Sequence, residues 1–144
     1  TFKGIDTTGR PILKESANRI TANILMVINM QPNCAAYRIN NMGVWDEKKQ
    51  TWRRSNTKKG LPDIWACVYG FFITIEVKAG ADYLKDDQEH RAFEIQRAKG
   101  TFFEARSTDS FSVWFRDFLR RKRLEYEALE MYRNNFNPAD LDDL

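Results

Sequence analysis

The apolar residues of this chain recur with two periods, one helical and one extended, and the two alternate along the sequence. Isoleucine and valine repeat at helical spacing between residues 20 and 28, and Pro32 ends that helix because proline has no backbone N–H to donate. Two further helices are predicted over residues 87–99 and 109–134. The chain therefore begins and ends its main body with helical segments.

Strands are predicted between these helices, wherever β-branched and aromatic residues dominate a short run. The predicted strands cover residues 34–40, 44–46, 51–53, 63–68, 71–78 and 101–106. The two short runs at 44–46 and 51–53 form the arms of a polar-tipped hairpin. Strands that alternate with helices predict an α/β fold, a mixed β-sheet of four to five strands flanked by helices with an extended C-terminal helix.

The second helix has predicted ends and a predicted buried face. Asp86 or Asp87 is a candidate N-cap, because a short acidic side chain can accept from the free N–H groups of the first turn. Gly100 is expected at the C-cap. Phe93 and Ile95 are expected to point toward the core.

The C-terminal helix, capped by Thr108 or Asp109, carries more apolar surface than one core-facing stripe requires. Its predicted core face consists of Phe111, Trp114, Phe115, Phe118, Tyr126, Leu129 and Tyr132. Leu124 and Met131 lie nearly opposite, which fits either two isolated apolar residues on a solvated face or a homodimer contact. The acidic residues 136–144 are expected to form a disordered tail.

The hairpin predicted over residues 63–78 contains charged residues that its apolar surroundings do not explain. If Tyr69-Gly70 is a two-residue loop, counting outward places Asp63 directly opposite Glu76, with Lys78 on the same face as Glu76. Opposed carboxylates repel at about 5 Å between their Cβ atoms, but they can share one divalent cation. The alternative is a half-exposed hairpin whose outer face carries a cross-strand ion pair.

These residues resemble a known nuclease pattern. Pro62-Asp63, an apolar strand and Glu76-Val77-Lys78 are similar to the motif of the PD-(D/E)XK nuclease superfamily. Within it, the chain most resembles the phage and bacterial type of the VRR-Nuc group. That closer likeness rests on Gly60-Leu61-Pro62-Asp63-Ile64, Glu76-Val77-Lys78-Ala79-Gly80, Gln88, Arg38-Ile39-Asn40-Asn41-Met42-Gly43 and the helical acid Glu15. It covers residues 14–118.

The resemblance implies a restriction-endonuclease-like sheet and a metal-dependent endonuclease that hydrolyses DNA phosphodiesters, with possible selectivity for flaps or four-way junctions. The implied cofactor is Mg²⁺ or Mn²⁺, held by Asp63, Glu76 and the carbonyl of Val77, with Glu15 contributing through water. Lys78 would position the attacking water or offset developing charge, and Gln88 would hydrogen-bond nearby. The alternative is a catalytically silent nucleic-acid-binding or assembly module of the same fold.

Positive charge is concentrated just before the predicted metal site, although the net charge of the whole chain is only +3. A cluster of cations beside carboxylates suits a polyanionic substrate, because lysine and arginine neutralise phosphates. The candidate DNA-binding residues are Arg38, Asn40, Lys48, Lys49, Arg53, Arg54, Lys58 and Lys59. A solvated hairpin without a partner is the other interpretation of this basic arm.

The remaining composition excludes several classes of protein. At 144 residues the chain is expected to form a single domain, with a core over 14–118 and a helical extension over 119–135. No apolar run of membrane-spanning length and no phosphate-binding P-loop are present, so neither a membrane partner nor a nucleotide cofactor is expected. We expect a cytoplasmic protein in which Cys34 and Cys67 are small buried residues and the only histidine, His90, is exposed.

Overall fold

The structure, a computed structural model, describes residues 2–5, 11–39, 43–53 and 58–135, with side chains from residue 14 onward. The described strands are β1 (Phe2–Ile5), β2 (Pro11–Leu13), β3 (Cys34–Arg38), β4 (Val44–Asp46), β5 (Thr51–Arg53), β6 (Ile64–Val68), β7 (Phe71–Val77) and β8 (Thr101–Ala105). The described helices are α1 (Ala17–Asn29), α2 (Asp86–Arg97) and α3 (Thr108–Asn135). The acidic residues 136–144 lie outside the described residues.

The main sheet has four strands in the order β3-β6-β7-β8. Strand β6 pairs antiparallel with both β3 and β7, whereas β7 pairs parallel with β8 across the connection through α2. Two separate hairpins, β1-β2 and β4-β5, complete the described strands. The predicted fold class is confirmed: a mixed four-stranded sheet with flanking helices and a long C-terminal helix. The β1-β2 hairpin was not predicted.

The core fills the space between one face of the main sheet and the helices α1 and α3. Its buried apolar residues are Ile20, Ile24 and Ile28 of α1, Phe111, Phe115 and Phe118 of α3, and Ala36, Ile64, Ala66, Val68, Ile73, Ile75, Val77 and Ala105 of the sheet. Alternation along the strands sends every second side chain to this face. No helix in the described part of the chain is long and apolar enough to cross a membrane.

Helix α2 lies on the opposite face of the sheet and buries less of its surface than predicted. Ala92 is its one buried residue, Ile95 is half-buried and Phe93 is 60% exposed, so the expectation that Phe93 points into the core is wrong. The helical period explains this result. Phe93 and Ala92 are adjacent in sequence and differ by about 100° around the helix axis, so only one of them can face the sheet.

The C-terminal end of α2 also differs from its prediction. Ala98 is the C-cap, and Lys99 adopts the left-handed conformation with φ 69°. Gly100 follows as the residue whose N–H donates to the carbonyl of Ile95 at 2.9 Å. This pattern of bonds is that of a Schellman motif, which places Gly100 one residue beyond the left-handed position. A Cβ on Gly100 would lie 2.8 Å from the Ile95 side chain, so close packing explains the glycine.

Helix α3 buries the first half of its predicted apolar face and exposes the second half. Tyr126 stacks on Tyr69 in the turn between β6 and β7, so the helix has reached the end of the sheet at that point. Beyond Tyr126, Leu129 and Tyr132 are exposed, contrary to their predicted burial. The N-cap is Ser107 and not Thr108 or Asp109, because the Ser107 hydroxyl accepts from the Ser110 N–H at 3.0 Å. Leu124 and Met131 are both exposed, and a dimer through them stays a prediction.

The face of the sheet opposite the core is open over β3 and β6. Cys67 is exposed and Cys34 is half-buried, so the expectation of two buried cysteines is wrong for Cys67. In β6 the residues alternate strictly between buried and exposed, and Trp65 lies on the same exposed side as Cys67. Helix α2 contacts β8 and leaves this part of the sheet to solvent.

The turn between β6 and β7 has the two-residue loop that the sequence suggested. Val68 pairs with Phe71, and both Tyr69 and Gly70 have positive φ, at 52° and 83°. Two successive positive φ values are required by a type I′ turn, which favours Asn-Gly over Tyr-Gly. The stacking of Tyr69 on Tyr126, with ring centroids 5.2 Å apart, offsets the strain of a tyrosine in that position.

This balance predicts that Tyr69→Asn has opposite effects in two backgrounds. In the wild type the substitution relieves backbone strain but loses the ring contact, so we expect net destabilisation. In Tyr126→Ala, where the stacking is already absent, we expect a neutral or stabilising effect, with a coupling free energy of about 1 kcal/mol. Urea unfolding of the four proteins measures this coupling. Equal losses in both backgrounds would contradict the proposed compensation.

Candidate active site

The β6-β7 hairpin brings Asp63 and Glu76 together in the predicted register. Ile64 and Ile75 are the last paired residues, so one further step places Asp63 opposite Glu76. Asp63 is fixed through both its backbone and its side chain. Its carbonyl accepts from the Ile39 N–H at 2.8 Å, and its Oδ2 accepts from the Val77 N–H at 2.8 Å. The Asp63 side chain thereby occupies the place of a backbone acceptor at the open end of the hairpin.

The Glu76 carboxylate is buried, with only 3% of the residue exposed. Its Oε1 accepts a hydrogen bond from Gln88 Nε2 at 2.7 Å and lies 3.3 Å from Lys78 Nζ. Its Oε2 is also buried and has no hydrogen-bond partner among the described residues. Leaving a buried polar atom unpaired costs free energy, and in native proteins such atoms call for a specific explanation. One oxygen of this carboxylate is therefore buried without a hydrogen bond from the described residues.

Burial raises the pKa of Glu76 to about 7, and the nearby Asp63 carboxylate contributes to the rise. The Lys78 ammonium acts in the opposite direction but does not cancel these effects. Two adjacent carboxylates in a partly dry site hold a proton near neutral pH unless another cation replaces it. The electrostatics of the pair thus favour the uptake of positive charge.

Lys78 lies directly beside this carboxylate and is only 4% exposed. Its backbone N–H donates to the Ala105 carbonyl at 3.0 Å, which extends the β7-β8 pairing by one residue. Its ammonium lies between Glu76 and Asp82, with Nζ 3.5 Å from Asp82 Oδ2. Burial with two carboxylate neighbours holds the ammonium in one place.

Asp82 is a site residue that the sequence reasoning missed. The Asp82 carboxylate accepts a hydrogen bond from the Tyr83 N–H and lies near Lys78. Both interactions hold the pKa of the Asp82 carboxyl below its usual range. Arg106 donates to the Asp82 carbonyl and pairs with Glu104, so β8 anchors the loop that carries Asp82. Two features of the sequence could have suggested that Asp82 lies near Lys78. Asp82 follows Lys78 by four residues, and Gly80 between them, with φ 62°, allows the loop to turn back.

Gln88 connects α2 to the buried carboxylate. Its Nε2 donates to Glu76, and its Oε1 accepts from the Lys85 N–H at 3.0 Å, so both ends of the amide are engaged. Lys85 is the N-cap residue, and the prediction of Asp86 or Asp87 in that role is wrong. The side chain that satisfies the helix start comes from Gln88, three residues into the turn.

Gly60 explains how the Gly-Leu-Pro-Asp segment can lie against the start of α2. It has φ 77°, a conformation that a side chain disfavours. A Cβ there would lie 2.4 Å from the Asp87 carbonyl oxygen and 2.8 Å from the Gln88 nitrogen. Glycine therefore permits a backbone contact that keeps Gln88 within reach of Glu76.

The structure does not bring Glu15 to these carboxylates as a direct ligand. The Glu15 carboxylate accepts from the Thr108 N–H at 3.0 Å, from the Thr108 hydroxyl and from Asn23 at 3.4 Å. It therefore ties the segment before α1 to the start of α3. Within the described residues, no group of three or more His, Cys, Asp or Glu side chains is arranged to hold a metal ion. A contribution of Glu15 through water stays a prediction.

The donors present nevertheless fit a hard divalent cation. Magnesium commonly binds through one or two carboxylates and completes its shell with water and substrate phosphate oxygens. Asp63 and the unpaired oxygen of Glu76 supply two carboxylates. The N–H of Val77 points to Asp63, and in an antiparallel strand the C=O of the same residue points to the same neighbouring strand. The Val77 carbonyl is thus directed toward the same side of β7 as Asp63.

The candidate DNA-binding residues occupy several separate surfaces. Lys48 and Lys49 lie exposed in the turn of the β4-β5 hairpin, where their N–H groups donate to Asp46. Arg53 pairs with the same Asp46 at 3.1 Å, which reduces its availability to a phosphate. Arg38 donates to Asn18 of α1 at 3.0 Å. Asn40 and Arg54 lie outside the described residues.

Lys58 and Lys59 lie closest to the carboxylates along the chain. Both residues are exposed, and Arg91 of α2 donates to the Lys59 carbonyl at 3.2 Å. Lys58 also lowers the pKa of Glu94 on α2, after the larger effect of the Arg91 hydrogen bond. This lysine pair is therefore held against α2, on the side of the sheet that carries Glu76.

We expect Gly60→Ala to destabilise the protein more than Gly70→Ala. Gly70 also has positive φ, but a Cβ there meets nothing within 4 Å, so it reports backbone strain alone. We expect roughly 1 kcal/mol for Gly70→Ala and about 2 to 4 kcal/mol for Gly60→Ala, which adds a backbone clash. Urea unfolding measures both. Similar losses would show that the contact with α2 is unimportant.

The raised pKa of Glu76 predicts a stability effect with a defined sign. A carboxyl whose pKa rises on folding stabilises the folded state below about pH 4.5, and this contribution is lost as the pH rises through about 7. Relative to Glu76→Gln, the metal-free wild type should therefore lose roughly 1 to 3 kcal/mol of unfolding free energy between pH 5 and pH 8.5. Urea unfolding in a chelating buffer measures the difference.

Asp117→Asn is the matched control for this pH experiment. The Arg120 and Arg121 hydrogen bonds hold the pKa of the exposed Asp117 carboxyl below its usual range, so its contribution changes only at lower pH. The difference between wild type and this variant should stay constant over the same interval. An equally constant difference for Glu76→Gln would contradict the assigned pKa.

Comparisons with protein-family models, with curated proteins and with solved structures found no match for this chain.

Proposed function

We propose that this chain is a metal-dependent endonuclease that hydrolyses DNA phosphodiester bonds. One observation carries the proposal: the buried Glu76 carboxylate leaves one oxygen unpaired opposite Asp63, at the open end of a hairpin and beside a buried lysine. The other buried carboxylate oxygen without a hydrogen bond in the described part of the chain, Glu104 Oε1, lies against Arg106, whereas Lys78 and Gln88 contact the opposite oxygen of Glu76. A site that binds a cation needs the free oxygen.

Asp63, Glu76 and the Val77 carbonyl are the residues that we assign to Mg²⁺ or Mn²⁺. Such an ion, when bound, lowers the pKa of a coordinated water and neutralises charge on the scissile phosphate. The proteins that use few carboxylates for magnesium rely on the substrate for the remaining ligands. A site with only two carboxylates, Asp63 and Glu76, is therefore compatible with a metal ion that takes its other ligands from water and the substrate.

Lys78 is assigned to the nucleophilic water or to a phosphate oxygen. Its ammonium donates to Asp82 Oδ2 and lies 3.3 Å from Glu76 Oε1, and a further donor of the same ammonium would meet the substrate. A buried ammonium held by two acids costs little reorganisation when negative charge develops on the phosphate. Asp82 therefore belongs to the positioning of the lysine.

Gln88 is assigned a positioning role. Its amide joins the helix start to Glu76 Oε1, so the carboxylate cannot rotate without breaking that hydrogen bond. That rotation would exchange Oε1 for the unpaired Oε2 as the acceptor of the Gln88 hydrogen bond. Gln88 thus fixes which oxygen of Glu76 is presented.

The basic residues supply the remaining requirement of a DNA-cleaving site. Lys58 and Lys59 are exposed next to α2, and Lys48 and Lys49 are exposed at the tip of the β4-β5 hairpin. Such exposed cations can neutralise phosphates of a bound strand and make binding sensitive to salt. The likeness of the Pro-Asp and Glu-Val-Lys segments to PD-(D/E)XK nucleases adds support from the sequence.

The proposal predicts a specific loss of cleavage in two variants. Labelled linear, flap and four-way-junction DNA are incubated with wild type, Glu76→Gln or Lys78→Met in Mg²⁺ and in Mn²⁺. We expect cleavage by the wild type and a loss of at least about 100-fold in each variant, because each removes a group that acts on the reacting phosphate. DNA affinity measured in Ca²⁺ should change only a few-fold.

Asp117→Asn serves as the control, since its exposed carboxylate pairs with Arg120 and Arg121 on the far helix α3. It should cleave like the wild type. If wild type and variants bind DNA alike and none cuts any substrate with either metal, the nuclease proposal is wrong. A nucleic-acid-binding or assembly module would then be the better description.

A further inference from the structure

The open face of the sheet carries a cluster of exposed aromatic residues. Tyr37 of β3 pairs with Trp65 of β6, and the Trp65 ring packs edge to face against Phe72 of β7 with centroids 5.8 Å apart. These three residues are 69%, 36% and 44% exposed, respectively. The solvated face of an antiparallel sheet normally presents polar side chains. We name Tyr37, Trp65 and Phe72 the aromatic platform.

The aromatic platform continues directly into the candidate active site. Trp65 is two residues from Asp63 on one strand, and Phe72 leads through Thr74 to Glu76 on the next, so all lie on one face. Two residues of a strand span about 7 Å. A strand of DNA whose phosphate lay at the carboxylates would therefore place an adjacent base over Trp65.

The size of the platform distinguishes between its possible occupants. With side chains of about 200 Å² each, the exposed fractions leave on the order of 300 Å² of aromatic surface. A stable dimer buries about 800 Å² on each partner, so this surface alone is too small for a second copy. It is large enough for a few stacked bases, since aromatic side chains bind bases through their flat faces.

The charges around the platform suit a polyanion. Lys99 and Phe72 line the same shallow cavity at the end of α2, and Arg91 of the same helix donates to the carbonyl of Lys59. Glu94 is the acid among these cations, and it pairs with Arg91. Flat apolar rings bordered by cations match a nucleotide strand, which has bases on one side and phosphates on the other.

We propose that the aromatic platform binds unpaired nucleotides of a DNA strand by stacking, and so selects DNA in which a single-stranded segment adjoins the cleaved bond. This inference rests on the proposed nuclease function and names its substrate class. Duplex DNA hides the faces of its bases inside the stack, so it cannot use the platform. Binding to Trp65 therefore discriminates between unpaired and paired DNA.

Fluorescence anisotropy with a labelled oligothymidine and with a duplex of equal length tests the proposal in Ca²⁺ at fixed salt. We expect Trp65→Ala and Phe72→Ala to weaken binding of the single strand roughly 5- to 100-fold and binding of the duplex by less than about 3-fold. Tyr132→Ala, an exposed aromatic substitution on α3, is the matched control and should leave both affinities unchanged. Thermal unfolding verifies that each variant is folded.

Two further variants separate stacking from simple apolar contact. Trp65→Phe keeps a flat ring and should retain most of the single-strand affinity. Trp65→Leu keeps apolar surface without a ring and should lose affinity as Trp65→Ala does. If Trp65→Leu binds like the wild type, or if Trp65→Ala halves the mass measured by light scattering, the platform is a protein interface and the proposal is overturned.

Cleavage assays on the same variants distinguish failure of this inference from failure of the nuclease proposal. Selective loss of cleavage next to unpaired DNA in Trp65→Ala would support the inference. A wild type that cleaves DNA together with a Trp65→Ala variant of unchanged binding and cleavage would overturn the platform alone. Loss of single-strand binding in Trp65→Ala without any cleavage by the wild type would overturn the nuclease and keep the platform.

Discussion

A carboxylate buried at the end of a sheet is costly, and most of the local architecture serves to hold Glu76 there. The desolvation of a charged acid is offset only by good hydrogen bonds and an opposite charge, which Gln88 and Lys78 provide. Gln88 reaches Glu76 because Gly60 lets the preceding loop contact the start of α2. Lys78 stays in place because Asp82 balances it on the other side. The compensation is incomplete, because Glu76 Oε2 has no hydrogen bond from the described residues. That oxygen is the ligand that we propose for the metal ion.

One face of the main sheet packs against the core, and the opposite face carries the residues of the proposed function. On one face, α1 and α3 cover a continuous apolar core. On the other, α2 covers only the β8 side, so that Glu76 and Lys78 are buried while Trp65 and Phe72 stay accessible. This division follows from strand alternation, because successive side chains of β7 point to opposite faces of the sheet. A stable core can therefore coexist with an open surface that carries the proposed site, because consecutive residues of one strand point to the two faces.

Features that depend on local periodicity and on counting residues could be predicted from the sequence alone. Alternation and helical spacing predicted the α/β class, and Tyr69-Gly70 predicted the register that opposes Asp63 and Glu76. A register follows from the turn because each strand residue advances by a fixed length and alternates in direction. The identity of Lys78 as a neighbour of Glu76 followed from the same alternation. Such inferences require no knowledge of distant contacts.

Contacts between residues from distant parts of the chain could not be predicted from the sequence and follow from the folded structure. The Glu15 carboxylate accepts from the Thr108 N–H at the start of α3, 93 residues away in sequence, a contact that no local pattern announces. Cys67 and Phe93 were expected inside, and both are exposed: Cys67 because α2 leaves that part of the sheet uncovered, and Phe93 because its neighbour Ala92 is the residue of α2 that faces the sheet. Asp82 lies near Lys78 because the loop between β7 and α2 turns back toward the end of β7. Burial and capping depend on which surfaces meet, and local propensity does not specify those meetings.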